Sequence, residues 1–433
     1  MESKPNQPNH HGELAALQQA GVLVITVDRL PAWMLAAYGA TWVSTPALDS
    51  LAARGVVFDR VIATSPAPDQ TIHDLVDQLF SVAGGWQTAV VTDDPVVAAG
   101  MAAATGAGPA VSIRLVEAAA KTKVEEDDAQ TNIARLVDAA IDTLAARQHR
   151  LVWCHVGSLG VAWDAPERYR DRYIDPDDPP PQSGASVPGF AVDADTDPDR
   201  VVGVRQVFAG QVTLLDSQLA RLFAATRKGV ANASDWTVVV VGVRGLPLGL
   251  HGWVGVGGPE LPYGELIHLP AIVVDAAGRM AAQRYGGLVV PADLGRTLRD
   301  WIAEAAGSQP HASAADPLTP WQGRSLAGLF ENWSVPVRDR VVVAGPDGAA
   351  IVLPAWHCLR AAGPVEPGLN PEPQRTHEQS VRLFAKPDDF FELADVANRC
   401  SDVAGPLGEL LERAIAGEER AVWGASLPDA ASG

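Results

Sequence analysis

Continuous apolar runs alternate along this chain with longer stretches of mixed polarity. Three of these runs contain a single polar residue each, namely Val22–Val27, Leu151–Val156 and Thr237–Val241. Such runs are typical of parallel strands that are buried on both faces. Gln87–Val91 and Ala271–Val274 have the same character. The pattern therefore predicts at least five strands in one buried sheet.

The stretches between these runs carry helical spacing. Apolar residues recur every three or four positions in Val201–Thr226, and Val116–Gln148 has a similar period. The proline-rich segment Pro176–Gly189 is expected to be a surface loop. Strands that alternate with long helices predict an α/β fold, with a mostly parallel central sheet flanked by helices.

The pattern changes near residue 339 to short strand-like runs separated by Gly and Pro. These runs are Arg340–Val343, Ala350–Leu353 and Val381–Phe384, and a helical pattern follows at Val403–Ile415. We therefore predict a small C-terminal α+β subdomain, with an antiparallel sheet and a terminal helix, over residues 336–425. The α/β domain is predicted over 21–335, a flexible leader over 1–20 and a flexible tail over 426–433.

Composition narrows the possible partners and compartment. The formal charge of −19 over 433 residues disfavours nucleic acid and anionic membranes. The N-terminus lacks a basic and apolar signal pattern, and no apolar run approaches the roughly 20 residues that cross a bilayer. Cytoplasmic residence is the expectation. Three separated cysteines argue against a disulfide framework.

Eight segments of the sequence resemble segments of one protein family and occur in the same order as in that family. They are Val22–Asp28, Thr45–Asp59, Leu151–Tyr173, Phe208–Phe223, Tyr263–Val274, Val289–Trp301, Trp321–Phe330 and Arg382–Cys400. Together they resemble the sulfatase branch of the alkaline phosphatase superfamily over essentially the whole chain. The resemblance implies an alkaline phosphatase/sulfatase-like fold, hydrolysis of sulfuric esters, and a calcium or magnesium ion.

The nucleophile that this resemblance implies is absent from its expected position. Sulfatases make a formylglycine from Cys or Ser in a Cys/Ser-x-Pro-x-Arg motif, which should follow Thr64–Pro66. Here Pro68 takes the nucleophile position and Ile72 the arginine position. The hydroxyl of Ser65 or Thr71 is an alternative nucleophile. We favour instead a hydroxyl that caps a helix starting near Thr71.

The implied metal ligands are also degenerate. The family pairs two consecutive acids after the first strand with Asp-His or Asp-Asn after a later strand. Asp28 is kept as a vestigial ligand, but the other three positions are Arg29, Val243 and Arg244. No cofactor is therefore expected; calcium or magnesium would be expected only if this assignment is wrong. We predict an ion pair of Asp28 with Arg29 or Arg244.

The implied general acid and lysine fall on Gly160 and Val256. Two histidines remain, His155 and His251, and we interpret a lone histidine at a strand end as structural. Arg29, Arg244 and His251 are nevertheless candidates to bind an anion.

Three functions remain open. The leading hypothesis is a sulfatase-family pseudoenzyme that lacks ester hydrolysis and binds or regulates a protein partner or a small anionic ligand. The second is an active sulfate or phosphate ester hydrolase with a rewired site. The third is a structural or partner-binding protein that never meets an anionic ligand.

Overall fold

The computed structural model describes residues 21–80, 86–105, 111–178, 180–227, 236–276, 278, 281–305, 322–330, 332–363, 381–428 and 431. The predicted leader, 1–20, lies outside these residues, as does half of the predicted tail.

Nine strands form the large sheet: β1 (Gly21–Asp28), β2 (Val56–Ile62), β3 (Thr88–Thr92), β4 (Val111–Leu115), β5 (Leu151–Val156), β7 (Trp236–Arg244), β9 (His268–Leu269), β10 (Ala271–Val274) and β11 (Gln283–Val289). Two short strands, β6 (Gly189–Ala191) and β8 (Trp253–Gly255), pair separately. The strand order is β11-β2-β10-β7-β1-β5-β3-β4, with β9 against β2. Only β9 and β10 run antiparallel to their neighbours.

Among the described residues before 306, the α-helices are α1 (Pro46–Ala52), α2 (Pro68–Phe80), α3 (Pro95–Thr105), α4 (Asn132–Ala145), α5 (Glu167–Arg170), α6 (Pro198–Ala225), α7 (Gly264–Ile267) and α8 (Pro291–Ala305). Two buried clusters of apolar side chains lie on the two faces of the large sheet; alternate residues of β1, such as Val24 and Leu23, belong to different clusters. The mostly parallel sheet flanked by helices confirms the predicted fold class.

A second, four-stranded antiparallel sheet follows in the order β12 (Val341–Gly345), β13 (Gly348–Val352), β14 (Trp356–Ala361) and β15 (Val381–Ala385). Helices α9 (Ser401–Arg413) and α10 (Glu419–Trp423) come after it, joined by a π turn at Ala414–Glu418. The predicted small sheet and terminal helix are present, while the boundary between residues 335 and 336 stays a prediction.

One helix is much shorter than its sequence period indicates. Val116–Gln148 is α-helical only over α4, which follows one 3-10 turn at Asp128–Gln130. The Thr131 hydroxyl marks the start of α4, because it caps the helix by accepting from the Ala134 amide at 3.3 Å. Just before this stretch lies β4, an edge strand that the apolar pattern did not predict, since its side chains are half-buried or exposed.

Within the described part of the chain, no helix is both long enough and apolar enough to cross a membrane.

Candidate functional site

Neighbouring parallel strands bring the polar residues at their carboxyl ends to one edge of the sheet. β1 lies between β5 and β7, and Asp28 pairs in register with Arg244 just after a bulge at Val27. The Leu30 amide donates to the Arg244 carbonyl at 3.0 Å, which fixes the chain beyond the strand end. In open α/β sheets this edge is where ligands bind, so the site is where the fold predicts it.

Asp28 forms ion pairs with both arginines. Nη1 of Arg29 lies 2.5 Å from Oδ2, while Nε and Nη2 of Arg244 donate to Oδ1 and Oδ2 at 3.1 and 3.2 Å. The predicted ion pair is confirmed, and it is double. A guanidinium that meets both carboxylate oxygens makes one of the stronger protein hydrogen-bond arrangements.

Glu260 completes this group, which we call the strand-end cluster: Asp28, Arg29, Arg244 and Glu260. Oε1 of Glu260 lies 3.4 Å from Nη1 of Arg244, and the Glu260 amide donates to Asp347 Oδ2 at 2.6 Å. The second sheet thus supplies the contact that places Glu260. Two carboxylates and two guanidiniums cancel, so the cluster carries no net charge.

The ionisation states follow from burial and pairing. Burial alone would raise the pKa of Asp28, but the guanidiniums of Arg29 and Arg244 outweigh it and hold the pKa below its ordinary value of 3.8. Burial lowers the pKa of Arg29, and Asp28 opposes that effect. Asp28 is therefore ionised at neutral pH, as its pairing requires.

His155 is a structural neighbour of this edge. Its Nδ1 lies 2.8 Å from Oγ1 of Thr26, which also accepts from Nε1 of Trp153 at 2.8 Å. Burial lowers the pKa of His155, so the ring is neutral at pH 7. This hydrogen-bonded, buried position confirms the structural role that the sequence indicated.

Arg29 and Gly160 fit each other sterically. Arg29 has φ of 60°, the left-handed region that a non-glycine residue rarely adopts. A Cβ on Gly160 would lie only 2.0 Å from Nη1 of Arg29. The arginine head thus fills the space beside Gly160, where the resemblance implies a histidine.

Asp93 fixes the turn that carries Gly160. Its carboxylate accepts from the amides of Gly157 and Ser158 at 2.6 and 3.2 Å, and burial raises its pKa to about 6. The turn, Ser158–Gly160, is a single 3-10 turn whose first two residues are buried.

The segment at the nucleophile position forms the start of a helix. Pro68 is the first residue of α2, and Ile72 packs against the apolar core. The Ser65 hydroxyl accepts from the Ala67 amide at 3.2 Å. A helix does start near Thr71, but Thr71 does not cap it, because α2 begins three residues earlier and Thr71 lies inside it. The Thr71 hydroxyl is buried without a hydrogen-bond partner among the described residues.

The remaining predicted positions do not join the cluster. Val243 is fully buried within β7, and the Val256 amide donates to the Pro188 carbonyl at 2.9 Å in the β6–β8 region. His251 stacks on Tyr263 with ring centroids 3.7 Å apart, and its Nδ1 lies 3.0 Å from Oε1 of Glu265. The structure therefore brings Arg29 and Arg244 together on Asp28, but it gives His251 other partners.

The residues at this edge do not fit a divalent cation. Calcium and magnesium require several oxygen ligands, and the two oxygens of Asp28 are already occupied by guanidinium groups. Across the described ranges, no three His, Cys, Asp or Glu side chains gather as a metal-holding group. The expected absence of a cofactor stays a prediction.

Sequence reasoning missed Glu260. It lies in a Gly- and Pro-rich stretch with no family motif, so no local signal marked it as the partner of Arg244.

Comparisons with known proteins show the fold. No family model matches this sequence, and no curated protein matches it. Among solved structures, the phosphonate monoester hydrolase of Agrobacterium radiobacter is 17% identical with a TM-score of 0.63, over 92% of this chain and 96% of that one. A protein solved with its substrate D-glucosamine-2-N,6-O-disulfate is 12% identical with a TM-score of 0.64, over 95% and 99%.

A 2-O GAG sulfatase is 14% identical with a TM-score of 0.60, over 93% of both chains. The chain therefore has the sulfatase and alkaline phosphatase-like fold, and the solved structures that it resembles include sulfatases and phosphonate monoester hydrolases.

Proposed function

We propose that this chain is a pseudoenzyme on a sulfatase-like fold, which does not hydrolyse sulfuric esters and acts by binding. The observation that carries the proposal is the closure of Asp28 by two guanidiniums. Asp28 accepts three hydrogen bonds from these guanidiniums, which leaves about one of its roughly four acceptor positions, and their positive charge repels a cation. That cation is what would neutralise sulfate oxygens in a hydrolase.

The neighbouring positions support the same proposal. Pro68 carries no nucleophilic atom, and neither Gly160 nor Val256 can donate a proton or hold a negative charge. General acid–base catalysis contributes about 10²- to 10⁴-fold in rate, and removing one charge-stabilising donor costs about 10²- to 10³-fold. The combined losses would place turnover below detection.

A rewired hydrolase would need guanidiniums free to hold the ester anion. Arg29 and Arg244 instead share Asp28, and Arg244 also meets Glu260. The neutral cluster also disfavours a small anion at this edge, so the binding role falls to a protein partner or to a ligand held elsewhere.

The test is hydrolysis of 4-nitrophenyl sulfate, 4-nitrophenyl phosphate and an aryl phosphonate monoester, with calcium, magnesium or manganese added, alongside bound-metal analysis. We expect nitrophenol release equal to that of buffer for all three substrates. Turnover that depends on added metal and disappears in the Asp28→Ala variant would establish the rewired hydrolase instead.

A further inference from the structure

A cavity of about 450 Å³ borders both sheets. Its lining includes residues of β2, β9 and β11 from the large sheet, and residues of the β13–β14 turn and of the loop after β15. We call it the inter-sheet pocket. None of the four residues of the strand-end cluster lines it. Its volume is within the range of small-molecule sites.

Five rings of the lining contact one another in a row, which we call the aromatic wall. Trp33 meets Phe391 edge-on at 5.9 Å between ring centroids, and Phe391 meets Phe390 at 5.0 Å. Phe390 meets the His268 ring at 5.5 Å, and His268 meets Tyr38 at 6.2 Å. Phe390 and Phe391 are 36% and 41% exposed, so part of each side chain is open to a ligand. Rings of this kind pack well against a further aromatic ring.

The acids that line the inter-sheet pocket already have partners. Asp59 accepts from Nε and Nη2 of Arg284 at 3.0 and 2.5 Å. Oε1 of Glu392 lies 3.0 Å from Nζ of Lys386. The two oxygens of Glu265 lie 3.0 Å from a histidine nitrogen and 2.9 Å from a backbone amide. Two of the three lining cations, Arg284 and Lys386, are therefore paired with acids of the same lining.

The third lining cation, Arg60, makes no ion pair with a described acid. Its Nε donates to the Gly286 carbonyl at 2.6 Å, and its Nη1 donates to the Pro354 carbonyl at 2.8 Å. Gly286 and Pro354 line the pocket as well, so these two hydrogen bonds hold the guanidinium in the pocket lining. Burial lowers the pKa of Arg60, and the nearby charge of Asp59 opposes that effect. The pocket thus contains a partly desolvated positive charge whose nearest acid is engaged by another arginine.

The guanidinium of Arg60 has donors to spare. A guanidinium carries five N–H groups, and the two carbonyls use one on Nε and one on Nη1. Nη2 makes no hydrogen bond with the described residues, and it is not buried, so a ligand can reach it. An accessible N–H of a guanidinium forms its strongest hydrogen bonds with anionic oxygens such as those of a carboxylate.

We propose that the inter-sheet pocket binds a small aromatic carboxylate. The carboxylate accepts from Nη2 of Arg60, and the ring packs against the aromatic wall at Phe390 and Phe391. This site goes beyond the proposed lack of hydrolysis, because it shares no side chain with the strand-end cluster. The proposal therefore holds whether or not the chain hydrolyses an ester.

The test is isothermal titration calorimetry of the full chain at pH 7 with 2-naphthoate, and with 2-naphthamide as the probe that has the same rings but no charge. We expect saturable one-to-one binding of 2-naphthoate. The amide should bind about tenfold more weakly, because a charge-assisted hydrogen bond becomes a neutral one. No saturable binding of 2-naphthoate, or equal affinity for both probes, would overturn the proposal.

Arg60→Gln tests the anchor of the carboxylate. It should weaken 2-naphthoate binding about tenfold and remove the preference over the amide, while leaving the affinity for the amide near that of the parent chain. Arg54→Gln is the matched control, because it changes the net charge equally, lies just before β2 and does not line the pocket. Equal affinity of the two variants for 2-naphthoate would place the anion elsewhere, the arginines of the strand-end cluster included, and would refute the proposal.

Phe391→Ala tests the aromatic wall separately. Removal of this ring should weaken the binding of both probes about fivefold, so the preference for the carboxylate should remain. Leu393→Ala is its control, since Leu393 is 66% exposed in the same loop and does not line the pocket. An unchanged affinity in Phe391→Ala would contradict the proposal. Should Arg60→Gln fail to fold, the Phe391 and Leu393 pair still decides whether the ligand lies in this pocket.

Discussion

The strand-end cluster and the group around Glu392 each centre on one buried carboxylate, yet the partners of the two carboxylates differ. Asp28 pairs with the guanidiniums of Arg29 and Arg244, and Arg244 also pairs with Glu260. The two carboxylates therefore balance the two positive charges. Glu392 bonds His357, Lys386 and the Gly264 amide, and Nε2 of His357 is buried with no hydrogen-bond partner among the described residues.

The difference teaches that a charged side chain can bind a ligand only if its partners within the protein leave it available. The cluster occupies the edge where ligands bind in this class of sheet, but its charges cancel. A cavity of about 450 Å³ beside Glu392 lies away from that edge, and aromatic side chains form part of its wall. The type of residue present therefore says less about ligand binding than the number of its hydrogen bonds still unmade.

The largest expected effect on stability comes from replacing Glu392. Glu392→Gln leaves Lys386 and His357 without their carboxylate, and should lower the free energy of unfolding by about 3–5 kcal/mol, measured by urea denaturation at pH 7. Asp388→Asn is the matched control, because Asp388 is exposed in the same loop. A loss no larger than that of the control would show that Glu392 does not hold the two sheets together.

The stability difference between the parent chain and Glu392→Gln should depend on pH. The folded-state pKa of Glu392 is depressed below its ordinary value of 4.5, so its contribution is complete above that pH and is lost as the pH falls below it. The stability gap between the parent chain and Glu392→Gln should therefore narrow from pH 5 downwards.

A smaller loss of stability is expected when Asp28, the centre of the strand-end cluster, is replaced. Asp28→Asn leaves two partly buried guanidiniums without their shared negative charge, and should cost about 2–3 kcal/mol of unfolding free energy. The freed arginines should now hold an anion, so about 10 mM sulfate should raise the melting temperature of the variant by about 2 °C.

The parent chain and the exposed-charge control Asp177→Asn should not respond to sulfate beyond the effect of ionic strength, which matched sodium chloride reports. An equal sulfate response in the parent chain would mean that its guanidiniums are already available to anions.

The smallest effect tests the fit of Arg29 against Gly160. Gly160→Ala puts a methyl group where Nη1 of Arg29 lies, so the flexible arginine must leave Asp28 while Arg244 stays bidentate. We expect a loss of about 1 kcal/mol by urea denaturation. Gly405→Ala, where a Cβ meets nothing within 4 Å, should show no such loss. Comparable values for the two variants would mean that Arg29 does not depend on the bare backbone at Gly160.

The sequence predicted the buried strands well because their pattern is local. Leu151–Val156 and Ala271–Val274 match β5 and β10 in full. It failed at β4, whose side chains are half-buried or exposed, and before α4, where a periodic stretch is irregular. An edge strand buries too little for apolar spacing to mark it.

For the candidate site too, only features that depend on neighbouring residues in the sequence were predictable. The proximity of Asp28 to Arg29 can be read from adjacent positions. The assignment of Pro68 to a nucleophile position stays a prediction from the resemblance. The direction of a strand relative to its neighbour, as in the antiparallel β10, cannot be read from its own residues.

The sequence by itself therefore determined which segments are buried and which residues follow the first strand, since both are properties of contiguous residues. Only the tertiary structure decided that Glu260 pairs with Arg244, that Gly160 makes room for Arg29, and that Glu392 bonds both His357 and the Gly264 amide. Each of these depends on packing between residues far apart in the chain, and no local pattern of polarity encodes the distance between them.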